Sequence, residues 1–98
     1  MSPGPAALRP QRLRVFPDHS ADPVWADDGM VDLDRLPVSA RLRDALRAWA
    51  REWERLLGPA YVVREKDAYA AWLEAGRRHA RDLEAELGRG WSVEYTAD

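Results

Sequence analysis

Leu42, Leu46, Trp49, Trp53 and Leu56 recur at intervals of four and three residues, which an α-helix gathers into one stripe. Ala45 and Leu57 widen the stripe. Ser39, just after Pro37, is a natural N-cap, and Gly58-Pro59 is a natural stop. The spacing therefore predicts a helix over 40–57, about 27 Å long. A second stripe follows. Tyr69, Trp72, Leu73, Gly76, Ala80, Leu83 and Leu87 share one face of a helix read as capped by Asp67 and ended by Gly88. Two such faces must be buried against something. Gly76 lies mid-face, where glycine costs about 1 kcal/mol relative to alanine. Close approach by the first helix, through Trp49 or Trp53, supplies a reason for it.

The other layer comes from short alternating segments. Arg12-Leu13-Arg14-Val15-Phe16 alternates polar and apolar up to Pro17, with Leu13 and Val15 on one face. Trp91-Ser92-Val93-Glu94-Tyr95-Thr96 alternates more cleanly, with Trp91, Val93 and Tyr95 together. The two are expected to pair, placing Arg12 or Arg14 across from Glu94. Between them, Val24-Trp25 and Met30-Leu33 flank Asp27-Asp28-Gly29, and Asp-Gly is a strong hairpin signal. Residues 1–10, with Pro3, Gly4, Pro5 and Pro10, read as a disordered tail, and Tyr61-Val62-Val63 as a short apolar linker. The expected architecture is α+β, a two-layer domain over residues 11–98. Two antiparallel helices pack on one face of a small antiparallel sheet, in the order β-hairpin-α-α-β. Going down one helix and up the next makes the two terminal strands antiparallel.

A chain of 98 residues is one domain. At that size it buries only about 60–65% of its unfolded surface, so the five tryptophans matter to the core. A net charge of −2 gives no general attraction to nucleic acid or anionic membrane. The absence of cysteine excludes disulfides, thiolate metal sites and a cysteine nucleophile. The N-terminus lacks the pattern of a signal peptide, and no apolar run is long enough to span a bilayer. The chain reads as soluble and cytoplasmic. Fourteen arginines against one lysine, with no isoleucine or asparagine, follow from a GC-rich genome and are not evidence for phosphate recognition.

From Asp18 to Asp34 the chain carries six aspartates, His19 and Trp25, and no basic residue. This is not an EF-hand: with Gly29 at position 6, Val24, Ala26 and Arg35 fall where ligands are required. A looser calcium or magnesium site among the aspartates is left open; two histidines, His19 and His79, without thiols or an HExxH pattern, make no zinc site, and no metal or cofactor is assigned. Asp18-His19-Ser20 holds the residue types of a catalytic triad, but adjacent side chains in extended chain point apart, and triads are built from separated segments. A turn capped by Asp18 or Ser20 is the ordinary reading. His79 sits at the edge of the second stripe and is read as half-buried and bonded to Asp82. Aromatics and arginines do not interleave on a sheet face as RNA-binding sheets require, so nucleic acid is not a partner.

Arg43, Arg47, Arg51 and Arg55, spaced by four, form a basic ridge on the first helix. Like charges at that spacing are mildly destabilising. On the second helix, Glu74–Arg78, Arg78–Asp82 and Arg81–Glu84 are expected to compensate one another. A basic helix after an acidic loop has two readings. Either both are solvated and touch through weak surface pairs, or they form a bipolar surface that docks a partner, with Trp25 as apolar anchor. The surface then consists of Asp18, His19, Trp25, Asp27, Asp28, Arg47 and Arg51, with no catalytic residue. The leading reading is a non-catalytic protein-interaction domain, in its specific form an immunity or antagonist protein that binds a basic partner such as a toxin or nuclease. A homodimer is left open, and a membrane partner is not expected. The alternative is a small enzyme or enzyme subunit using His19 and Asp18 as acid and base.

The segments LRVFPDHSADPVW, GMVDLDRLPVSARLRDALRAWAREWE and LGRGWSVEY resemble small, uncharacterised proteins of actinobacteria over residues 12–95. The resemblance implies a high-GC bacterial source and a compact α+β domain, and carries no activity, cofactor or catalytic residue with it.

Overall fold

The computed structural model describes residues 8–57 and 65–97. Tyr61–Val63 and the first seven residues of the expected tail lie outside that range. The elements are β1 (Arg12–Val15), β2 (Val24–Ala26), β3 (Gly29–Met30), a 3-10 turn (Leu33–Arg35), α1 (Ala40–Leu57), α2 (Lys66–Leu87) and β4 (Ser92–Tyr95). Among the described residues this is the expected α+β layering, with the two helices packed on one side of a four-stranded sheet ordered β3-β2-β1-β4.

Alternation in β1 decides which sheet face is inner. Leu13 and Val15 are fully buried, while Arg12 and Arg14 point the other way. β2 follows suit, with Val24 and Ala26 buried and Trp25 turned outward. The hairpin closes over Asp27-Asp28. Gly29 already pairs with Ala26, at a φ of 130° that favours glycine. Leu33, expected in the strand, belongs instead to the 3-10 turn that follows it.

The sheet is mixed, not antiparallel, because β4 runs parallel to β1. Arg12 lies opposite Ser92, and Arg14 opposite Glu94 as expected. The orientation follows from the segment before α1. The Leu33 N–H donates to Asp22 Oδ2 at 3.2 Å, in the turn beyond the end of β1. The Ser39 N–H donates to Glu86 Oε1 at 2.6 Å, close to where α2 gives way to β4 and hence near the start of β1. Residues 33–39 thus carry the chain back across the domain before α1 begins. α1 then runs with β1, α2 returns, and β4 must run with β1 again.

Ser39 caps α1 as expected, its Oγ accepting the Leu42 N–H at 3.1 Å. α2 starts two residues earlier than a cap at Asp67 would place it. Glu65 holds the cap position without a side-chain cap bond, and Asp67 lies inside the first turn. A carboxylate there still favours the positive end of the helix dipole. Gly88, at a φ of 81°, ends the helix with its N–H on the Glu84 carbonyl at 3.0 Å. On the surface of α2, Glu74 pairs with Arg77 at 3.4 Å rather than with Arg78.

Leu42, Leu46, Trp49 and Leu56 of α1 meet Trp72, Gly76, Ala80 and Leu83 of α2 in the core, with Trp53 only partly buried. The Trp49 and Trp72 rings stack with centroids 4.4 Å apart and planes 2° from parallel. Gly76 is buried beneath them. A Cβ there would stand 2.5 Å from Trp49 Cζ2 and 2.6 Å from the Tyr95 hydroxyl. Close approach by Trp49 does account for the glycine, and β4 contributes equally through Tyr95.

Candidate interaction surface

Arg47 organises the acidic loop. Its Nε and Nη2 donate to Asp22 Oδ1 and Oδ2 at 3.2 and 3.3 Å, a two-pronged pair, and its Nη1 donates to Asp34 Oδ1 at 3.3 Å. Asp32 stands 3.8 Å away. Arg43 adds a contact to Asp34 at 3.7 Å and donates to the Val38 carbonyl at 2.8 Å. Three aspartates thus converge on one guanidinium, which offsets part of their charge. Much of the ridge-and-loop charge pattern is therefore internal. Arg55 pairs with Glu52 within the helix. Arg51 is exposed and makes no ion pair among the described residues.

Asp18, His19 and Ser20 form a turn pinned to α1. Asp18 Oδ1 accepts the N–H of His19 at 2.8 Å, the local capping expected of it. Glu54 Oε1 accepts the Ser20 N–H at 3.1 Å and lies 3.6 Å from His19 Nδ1. The imidazole leans on Trp53, with centroids 4.9 Å apart. Ser20 is held at a φ of 54° by these contacts. Asp18, Ser20, Asp22, Arg47, Arg51 and Glu54 border a groove of about 330 Å³ floored by Ala21 and Ala50. Sequence reasoning missed Glu54. The available signal was its helical spacing, three residues beyond Arg51 and seven beyond Arg47.

Trp25, Asp27 and Asp28 lie elsewhere, so the seven residues read from the sequence do not form one surface. Trp25 is half-buried on the outer face of the sheet. It stacks on Phe16 with centroids 4.7 Å apart and planes 7° from parallel, and donates to the Phe16 carbonyl at 3.0 Å. Asp27 stands 3.3 Å from Arg12 and 3.9 Å from Arg14. Met30 faces Trp25 across the hairpin and is 51% exposed. Asp28 borders a small hollow with Leu8, Met30 and Arg35. The strand alternation that turns Leu13 inward separates these groups from the α1 groove.

His79 lines a third hollow, between the start of α1 and the end of α2. Burial pushes its imidazole below the usual value, against the opposing pull of Asp82. No hydrogen bond joins it to Asp82, contrary to expectation: the carboxylate acts through space. Among the described residues no three histidine or acidic side chains are placed to hold a metal ion, and no helix is long and apolar enough to cross a membrane.

Residues 11–98 match the family model described as Serratia CdiI immunity protein-like. The chain belongs to that family. The match starts one residue before β1 and so takes in all four strands and both helices. No curated protein sequence matches the chain. For a CdiI immunity protein-like domain the relevant property is binding to another protein, and the surfaces to weigh are the α1 groove and the outer sheet face. In the groove, Asp22, Arg47 and Glu54 are engaged in holding the fold. The outer face carries its aromatic pair where no described helix covers it.

Proposed function

We propose that this domain is a non-catalytic, immunity-type protein that binds a toxin-like partner and blocks it by covering its working surface. The observation that carries the reading is the family match across residues 11–98. The geometry around His19 supports it. The Asp18 carboxylate caps its own turn, and the imidazole lies between Trp53 and Glu54, so the two do not face each other as an acid–base pair. A partner with basic groups is supported by the net charge of −2 and by Asp18 and Asp28, which meet no cation within ion-pair distance among the described residues. We extend the proposal to a cytoplasmic protein of a high-GC actinobacterium; the arginine-for-lysine bias supports the high GC content.

The test is co-purification of the tagged chain from its native host, followed by separate production of the protein recovered with it. That protein should harm cells when expressed alone and be silenced by an equimolar amount of this chain. A recovered protein whose activity is unchanged by excess chain rules out the immunity reading.

A further inference from the structure

The sheet has two faces, and α1 and α2 pack on one. Strand register gathers Ser92 and Glu94 of β4, Arg12 and Arg14 of β1, Trp25 of β2 and Met30 of β3 on the other. Resting on the immunity reading, we infer that this open face is where the partner docks, and that the partner places there a carboxylate next to an apolar side chain.

Two independent features argue for it. The centre is apolar and rigid. Phe16 and Trp25 form a stacked plate fixed by the indole hydrogen bond, beside Met30, the most exposed large hydrophobic side chain among the described residues. A tryptophan plate ringed by arginine has the composition of interface hot spots.

The second feature is a missing acceptor. Arg12 and Arg14 share one carboxylate, Asp27, at 3.3 and 3.9 Å. Arg14 Nε is shut away from solvent without a hydrogen-bond partner. Glu94, directly opposite Arg14 in register, forms no ion pair with it. One guanidinium therefore lacks its counter-charge. A carboxylate brought by the partner would draw the Arg14 head outward into a two-pronged pair and relieve the unsatisfied donor. An apolar neighbour of that carboxylate would rest on the Trp25–Met30 plate. Asp28, beside Met30, would meet a basic group on the same partner, so a partner that is basic overall is compatible with a local acidic contact.

The probe is the protein recovered by co-purification, titrated against variants in about 0.1 M salt. Trp25→Ala should weaken binding about 30-fold or more, and Met30→Glu and Arg14→Gln about tenfold each. Met30 is exposed, and Arg14 is half-buried with no hydrogen bond to lose among the described residues, so these two variants should melt like the parent and keep the test valid if Trp25→Ala misfolds. Removing the matching carboxylate on the partner should abolish the further effect of Arg14→Gln. Arg78→Ala, on the helical layer, should leave Kd unchanged. If Met30→Glu and Arg14→Gln both bind normally, this surface is wrong while the immunity reading survives. If the chain alone is a dimer that Met30→Glu dissociates, the occupant is a second copy and the inference is overturned. If no protein is recovered, the immunity reading fails and this inference falls with it.

Discussion

Trp49 and Trp72 exchange hydrogen bonds: each indole N–H donates to the other's backbone carbonyl, at 2.9 and 2.7 Å. With the rings stacked between them, each tryptophan satisfies its only polar side-chain atom on the opposite helix, which fixes both the rotation and the height of α1 against α2. Trp49→Phe and Trp72→Phe should each lower stability by about 1–2 kcal/mol, one hydrogen bond plus lost ring contact. Because the bonds are reciprocal, the double variant should show a coupling of about 0.5 kcal/mol or more in a chemical-denaturation cycle. Strict additivity would mean the two bonds act independently.

Gly76→Ala reverses the usual helix rule. Alanine gains up to about 1 kcal/mol in helix propensity, but its Cβ would overlap Trp49 and Tyr95, at 2.5 and 2.6 Å from their nearest atoms. Trp49 is locked by its indole bond to the Trp72 carbonyl, and Tyr95 by its hydroxyl on the Leu73 carbonyl at 2.9 Å. Neither can retreat cheaply. The variant should be less stable by about 1–3 kcal/mol, a fall in Tm of several degrees in a thermal melt. A raised Tm would contradict this packing.

Arg47 is a structural clamp, and the shape of its head matters as much as its charge. Arg47→Lys keeps the cation but cannot reach both Asp22 oxygens and Asp34 together. It should recover less than half of the stability lost in Arg47→Met, where the partly buried Asp22 is left unpaired at a cost of about 1–3 kcal/mol. Urea unfolding of the three proteins distinguishes this from a simple surface ion pair, for which lysine would serve as well as arginine.

His79 gives the domain an acid sensitivity of definite sign. Burial lowers its folded value below 6.5, so as pH falls the unfolded chain takes up the proton first. Its favourable contribution is complete above about pH 6.5 and is lost as pH falls toward the folded value. Stability between about pH 7.5 and 5.5 should therefore decline more gently in His79→Gln than in the parent. Equal slopes in a pH series of thermal melts would remove His79 as the cause.

How much of this was written in the sequence depends on the range of each interaction. Both helices, the Ser39 cap, the Gly88 stop and the Gly76 contact with Trp49 follow from local spacing and came out as expected. The direction of β4 did not, because it depends on residues 33–39 crossing the domain, and the contacts that make them do so, Leu33 to Asp22 and Ser39 to Glu86, join positions that no periodicity links. The seven residues of the expected surface are divided between two places on the domain for the same reason. Arg47 and Asp22 lie 25 positions apart, and their pairing turned an apparent docking charge into a tether. Trp25 was recognisable as the tryptophan outside the helical and terminal-strand faces, but its stack on Phe16 was not, because it joins two segments across a register that no periodicity gives.

β1 stands between two neighbours of very different reach. β2 is joined to it by a short turn, whereas β4 is separated from it by both helices. The first pairing can close early at small loop-closure cost. The second closes across both helices, from Arg12 to Ser92, so its long range predicts that it forms last. In that interval one edge of β1 offers unpaired backbone groups to any other chain nearby. Arg12 and Arg14 flank that edge with like charge, which disfavours association between identical chains until β4 arrives.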